Sequence, residues 1–396
     1  MTPAAKAMNL APYTMPDPED MTGLPTYADQ NPNAQMTKGN PEPEVLPCVE
    51  RITVPYTLGT FPRISMPFPR LTQNMSPGQV QGIEAAPKQY IALLPHGTGR
   101  SFYQRRPHAN REAKAFIESF DLDTDGIDIA LPIAHHPGKK PRDFDGPWPM
   151  ILSGASPELR DFLLWYQTFA VNENVTFHAI AFNLDAEDWV IMTISGDAVH
   201  PDARSIAKAL GSIKRRLWAD TTFVNFVNAV FAQAGIGGSA CERVVEATKS
   251  FQLTYIDTGN AKGDHAPVYQ LTGKPISKEP ETHRRWLSLI RGLRGGYVVG
   301  MHALVIDKRF VDCVWCKSKM HPAHGCPFHG VDGWLGTKPD NVQRYLDRTH
   351  NQQKDEGHRV DGGHKANNKG KGRQEGNRSD GWSTVGRGGR HNRYTM

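Results

Sequence analysis

Apolar positions along this chain change their period several times, and each change marks an element. The first sustained run is Tyr90-Ile91-Ala92-Leu93-Leu94, which predicts a strand buried on both faces. Ala113, Phe116 and Phe120 recur at helical spacing, so a helix is expected from Ala109 to Phe120. Ile127, Ile129 and Leu131 alternate as in a half-buried strand, and Trp148 to Leu152 predicts another. Ser156 then offers a side-chain oxygen as an N-cap, Pro157 fits a first helical turn, and Glu158 suits the positive end of the helix dipole. Leu159, Phe162, Leu163 and Tyr166 complete that helix at i, i+3, i+4 and i+7.

Two strands follow at Thr176–Phe182 and Trp189–Ser195, with 183–188 as the turn between them. Asp202 caps a helix whose core face is Ile206, Leu210, Ile213 and Leu217, and whose other face carries Lys208, Lys214, Arg215 and Arg216. Helices are expected near 223–234 and 240–250, and a final strand at 251–257 or 267–271. A helix near 282–293 aligns Trp286, Leu289, Ile290 and Leu293, and Tyr297–Ile306 reads as one strand. The fold class is therefore α+β. The order strand-helix-strand-strand-helix from Trp148 to Leu217 is that of a ferredoxin-like or RNA-recognition-like sandwich, here with extra helices. No internal repeat is visible.

Composition adds boundaries. Apolar residues make up 38 % of the 396, below the roughly 45–50 % of globular chains. Residues 1–49 hold nine prolines and no apolar periodicity, so 1–88 is expected to be a mostly disordered, proline-rich segment, with 50–88 wrapping over a core in places. An α+β domain then covers 89–300, a small metal-binding unit 301–340, and a disordered basic Gly/Arg tail 341–396. The formal net charge of +5 sits entirely at the end, where residues 351–396 carry ten Lys and Arg against five Asp and Glu. A balanced body with a basic arm suits a polyanionic partner.

Of five cysteines, three fall within fourteen residues, while Cys48 and Cys241 are isolated. That is no disulfide framework, and it points to a reducing, intracellular compartment, nucleus or cytoplasm. The start of the chain has no basic stretch leading into an apolar run, so no signal peptide is expected. The most apolar stretch, Tyr297–Ile306, is too short to span a bilayer, so no membrane partner is expected.

The chemistry lies in Cys313-x2-Cys316-x4-His321-x4-Cys326. Zn²⁺ takes four tetrahedral ligands, which thiolates and imidazole supply. The tight first pair puts two sulfurs on one ion, and the two four-residue gaps return the chain with little slack. So short a loop builds no core, and metal binding would supply its folding energy. His324 or His329 could stand in for His321, but the spacing favours His321. With four protein ligands the site is closed, hence structural. Three thiolates and Zn²⁺ sum to −1, which Lys317 and Lys319 would offset.

This spacing resembles the CCHC zinc knuckle of retroviral and retrotransposon Gag nucleocapsids and of cellular RNA-binding proteins. The resemblance covers fourteen residues and implies binding of single-stranded RNA or DNA, with knuckle aromatics receiving bases. Met320 stands where the viral pattern often has glycine, and Val314-Trp315 stands where an aromatic often follows the first cysteine directly. The wider chain resembles a group of fungal zinc-knuckle proteins of unassigned activity. The pieces that carry this likeness are Phe162-Leu163-Leu164-Trp165, Trp189-Val190-Ile191 with Ser195-Gly196, Trp286 with Ile290-Arg291-Gly292, Cys326-Pro327-Phe328 and Gly333-Trp334.

Single-strand binders combine cationic grooves with aromatic platforms. Trp315, Phe328 and Trp334 are the candidate platforms, and Lys308, Arg309, Lys317, Lys319 and Lys338 the candidate phosphate contacts. In the tail, Gly386-Arg387-Gly388-Gly389-Arg390 adds Arg387 and Arg390. Enzyme signatures are poor. Gly97-Thr98-Gly99-Arg100-Ser101 lacks the lysine and spacing of a P-loop, Asp121, Asp123 and Asp125 lack the glycine and closing glutamate of an EF-hand, and no nucleophile motif is present. The expectation is a zinc-dependent, single-strand nucleic-acid-binding protein that is not an enzyme. The alternatives are an adaptor whose knuckle binds protein and a Gag-like assembly protein, whose capsid region should be all helical.

Overall fold

Two antiparallel five-stranded sheets organise the chain, in the strand orders β2-β3-β1-β5-β4 and β7-β8-β6-β10-β9. The computed structural model describes residues 14–19, 30–37, 53–136, 142–259, 267–307, 311–340 and 342–344. The first sheet uses β1 (Tyr90–Pro95), β2 (Asp128–Ala130), β3 (Met150–Ser153), β4 (Thr168–Ala170) and β5 (Thr176–Ala181). The second uses β6 (Val190–Ser195), β7 (Gln252–Asp257), β8 (Pro267–Thr272), β9 (Tyr297–Val299) and β10 (His302–Asp307). The class is α+β, as the patterning predicts.

The two sheets share one plan. In each, the first strand is central and pairs antiparallel with the third and the fifth, while second pairs with third and fourth with fifth. Helices separate the first strand from the second and the third from the fourth. Each half is thus a βαββαβ sandwich order with one added strand. The chain repeats its topology although no repeat is legible in its sequence. The helix before the fourth strand opens on Pro157-Glu158 in one half and Pro280-Glu281 in the other, a small trace of the shared plan.

This plan corrects the expected pairing. Strands 176–181 and 190–195 exist but belong to different sheets, so the turn between them joins two modules rather than two hairpin strands. The 251–257 and 267–271 segments are both strands and pair with each other. The run 297–306 is a hairpin, broken where Gly300 takes φ +60°.

Caps were set locally. Ser156 Oγ accepts from the Leu159 amide at 3.2 Å and Asp202 Oδ1 from the Ser205 amide at 2.9 Å, opening the helices Pro157–Tyr166 and Ala203–Trp218. Ile91, Leu93, Met150, Leu152 and Phe177 face the helices of the first module. Ala92, Leu94, Ile151 and Ile180 face the other way, into a second apolar layer.

Much of that second layer comes from 53–88, a proline-rich segment expected to wrap over a core in places. Phe61, Ile64, Met66, Phe68, Leu71 and Met75 are all buried there. The prolines prevent a regular ladder, but the apolar side chains between them still fill the open face of the sheet. The short helices Phe68–Leu71 and Pro77–Ala85 belong to this strap. Among the described residues no helix is long and apolar enough to cross a membrane.

Candidate metal centre

The chain leaves β10 and turns back onto the first sheet as the Cys313–Cys326 loop. Its tight start is held by the Lys317 amide donating to the Cys313 carbonyl at 2.8 Å and the Cys313 amide donating to Ser318 at 2.9 Å. Lys317 takes φ 63° to close this turn. Cys313 Sγ, Cys316 Sγ, Cys326 Sγ and a ring nitrogen of His321 lie within 4.8 Å of one another, with all three cysteines buried. Cys316 Sγ is 3.3 Å from His321 Nε2. The four residues singled out by spacing therefore converge into a cluster that could hold a metal ion.

The electrostatics ask for a cation. Hydrogen bonds from Cys316 and Cys326 pull the Cys313 thiol down, while burial, together with the neighbouring sulfurs, pushes Cys316 up. One thiolate is tolerated; three in this volume need a positive ion. Lys317 lies within the same loop. It is 4 % exposed, and burial lowers its ammonium to about 7. Its Nζ sits 5.2 Å from the ring centroids of both Phe144 and Trp148 and donates to the Phe144 carbonyl at 3.3 Å.

The cluster is packed onto the open face of the first sheet. Trp315 carries its carbonyl to the Gly97 amide at 2.7 Å, and its ring lies parallel to His96 with centroids 6.3 Å apart. Gly97 has φ +73°, which favours glycine, and a Cβ there would press tightly on the Trp315 ring at 3.2 Å. Phe328 stacks on Phe61 of the strap at 5.6 Å, and Trp334 meets Phe61 edge-on. After the cluster, Leu335 donates its amide to Thr57 Oγ1 and Thr337 donates its own to Thr176 Oγ1. Arg70 on the strap donates to Asp312 and to the Lys317 carbonyl.

A second set of contacts reaches the other module. Gln270 Nε2 on β8 donates to the Lys319 carbonyl at 2.7 Å, Lys319 Nζ pairs with Asp188, and Val311 packs on Ile256 and Val268. The loop thus touches both sheets.

These contacts place the expected nucleic-acid-contact residues as follows. Trp315, Phe328 and Trp334 are 8 %, 1 % and 8 % exposed, packed against the sheet and strap rather than turned to solvent. Lys317 is buried and Lys319 is engaged with Asp188. Lys338 is exposed. Lys308, Arg309, Arg387 and Arg390 lie outside the described residues. On the basic face of helix 203–218, Lys214 is buried, Arg215 pairs with Glu19 at 3.1 Å, Arg216 donates to the Arg294 carbonyl, and Lys208 is exposed.

The sequence reading missed one feature beside the cluster, a row of histidines. His178 Nδ1 lies 3.1 Å from Thr168 Oγ1, His178 Nε2 lies 3.2 Å from His96 Nδ1, and His96 Nε2 lies 2.7 Å from His329 Nε2. His96 and His178 are fully buried. Burial holds His96 well below the usual imidazole range and lowers His178 to about 3, so both are neutral. His329 could be suspected from its nearness to Cys326, but nothing near His96 or His178 in the sequence marks them. By contrast His135 and His136 sit in a loop with their rings 3.8 Å apart and tilted by 43°.

No protein-family model, no curated protein and no solved structure matches this chain.

Proposed function

We propose that this is a zinc-dependent, single-strand nucleic-acid-binding protein in which the knuckle is a structural clamp and the tail is the main polyanion contact. The observation that carries the first half is the burial of the Cys313–Cys326 cluster and its aromatics against the first sheet. Four protein donors, three of them sulfur, suit Zn²⁺ in a closed structural site with no position left for a substrate. A clamp of this kind is formed by Cys313, Cys316, His321 and Cys326, with the buried Lys317 charge offsetting the surplus thiolate.

The second half rests on charge. The body is balanced, and the formal excess lies in residues 351–396, where Arg387 and Arg390 sit among glycines. Flexible arginine-glycine segments stack on bases and contact phosphates with little sequence preference. The βαββαβ order of each half is also that of RNA-recognition sandwiches, but in the first half the sheet face is closed by the chain itself.

Fluorescence anisotropy of labelled single-stranded RNA and DNA, over a salt series, tests the reading on the full chain and on a chain ending at residue 346. The account predicts binding that weakens steeply with salt and is lost on truncation while the body stays folded. Absence of binding at low salt, or full binding without the tail, would contradict it.

A second reading, an adaptor that binds protein, is favoured by the β9–β10 hairpin, where Val298, Met301 and Val305 are exposed, Met301 at 97 %. A zinc-dependent protein complex insensitive to salt would support it. A Gag-like capsid, being all helical, does not fit two five-stranded sheets.

A further inference from the structure

The row of histidines beside the clamp is an unusual thing to bury. Three imidazoles meet nitrogen to nitrogen among Trp315, Phe328 and Trp334, and the groups they touch include no carboxylate. Two proton arrangements satisfy the row: in one, Thr168 donates to His178 Nδ1 and each ring donates onward until His96 Nε2–H meets His329 Nε2; in the other the direction is reversed. With His178 Nδ1–H donating to Thr168 Oγ1 and His96 Nδ1–H donating to His178 Nε2, the His96 Nε2 lone pair is left aimed at His329 Nε2. Metal-binding imidazoles are oriented in this way, with the distal ring nitrogen donating to a fixed acceptor. In this second arrangement the His96 and His329 Nε2 lone pairs, 2.7 Å apart, face a common position that suits a cation. Cys326 Sγ completes a group with His96 and His329 in which every donor atom lies within 4.8 Å of the others.

We propose that a second transition-metal ion of the zinc class binds beside the clamp, held by His96 Nε2, His329 Nε2 and Cys326 Sγ, with the Cys326 thiolate shared between the two ions. Ligand atoms on one tetrahedral zinc lie roughly 3.4 Å apart. The two imidazoles therefore part by a fraction of an ångström when the ion enters. His329 has the freedom to do so, since it is half-buried on the short turn Pro327–Gly330. His96 does not, being fixed from behind by His178. Three protein donors leave a fourth position, on the side where His329 meets solvent, for water or hydroxide. The mixed nitrogen and sulfur donor set selects zinc or its neighbours over magnesium or calcium. The inference shares Cys326 with the structural clamp but does not depend on what the protein binds.

The test is metal stoichiometry. The full chain is loaded with Zn²⁺, desalted into metal-free buffer, and counted by native mass spectrometry with elemental analysis. The expected result is two ions per wild-type chain and one in His329→Ala, with the remaining ion lost only when Cys316→Ser is added. His96→Gln should match His329→Ala. Circular dichroism of His329→Ala, a half-buried position, confirms that the fold persists. One ion in the wild type, removed by Cys316→Ser, overturns the second site and leaves the clamp standing. Two ions both retained by His329→Ala also overturn it. A chain that holds no ion overturns the second site and the clamp together.

Discussion

The two modules share one strand order, yet they spend the face opposite their helices differently. In the first, that face is apolar: Ala92, Leu94, Ile151 and Ile180 lie under the strap and the metal cluster. In the second, the corresponding face carries a polar row, Thr254, Gln270, Thr193 and Asp307, aligned across four strands. Thr193 Oγ1 and Gln270 Oε1 are buried without a hydrogen-bond partner. Topology therefore does not decide what a sheet face does. A face rich in aliphatic side chains must be covered, and here the cover is an irregular strap packed together with the Cys/His cluster; on the proposed account a metal ion in that cluster fastens it.

The largest way to break this contrast is to remove the cover's aromatic anchors. Phe328→Ala or Phe61→Ala, each 1 % exposed, should cost about 3–5 kcal/mol in urea unfolding, because a large cavity opens between strap and sheet. A loss under 1 kcal/mol would mean the cover is loosely packed. Next, Gly97→Ala forces a side chain into φ +73° and against Trp315, and should cost about 1–3 kcal/mol in the same assay.

A smaller effect is expected from His178, and its sign follows from burial. The folded state holds its pKa at about 3, below the ordinary 6.5, so the unfolded chain takes up a proton first. The stability it contributes is complete above pH 6.5 and is lost as pH falls toward 3. Between pH 7 and 5.5 wild type should lose about 1 kcal/mol more than His178→Asn, read from paired unfolding curves. The smallest effect belongs to the second sheet. Thr193→Val removes a buried hydroxyl without a partner and keeps the shape, so stability should stay within about 0.5 kcal/mol or rise.

Much of this contrast was invisible in the sequence, for identifiable reasons. Element types were legible where they are local: the Ser156 and Asp202 caps, the helical stripe of Ile206 to Leu217, the period-two strands. Pairing was not. The short link between β5 and β6 looks like a hairpin turn, and only the competition of β1 for β5 puts the two strands in different sheets. The extent of the strap was hard to read because proline excludes a ladder but does not exclude burial, and Tyr56, Phe61 and Phe68 are the better guide to where it wraps the core. The Cys/His cluster was legible because tetrahedral metal coordination would dictate that spacing. The fate of Trp315, Phe328 and Trp334 was not, because an aromatic that stacks on a base and one that packs on a sheet are the same letters. The histidine row joins β1, β5 and the 327–330 turn, a juxtaposition only the fold creates.

The central claim, that the metal cluster fastens the cover of the first sheet, is tested most directly by amide hydrogen exchange before and after chelation. The account predicts that zinc removal deprotects residues 53–75 and the open-face amides of β1 and β5 together with the 313–326 loop, while β7 and β8 stay protected. Deprotection confined to 313–326, with the strap unchanged, would contradict it.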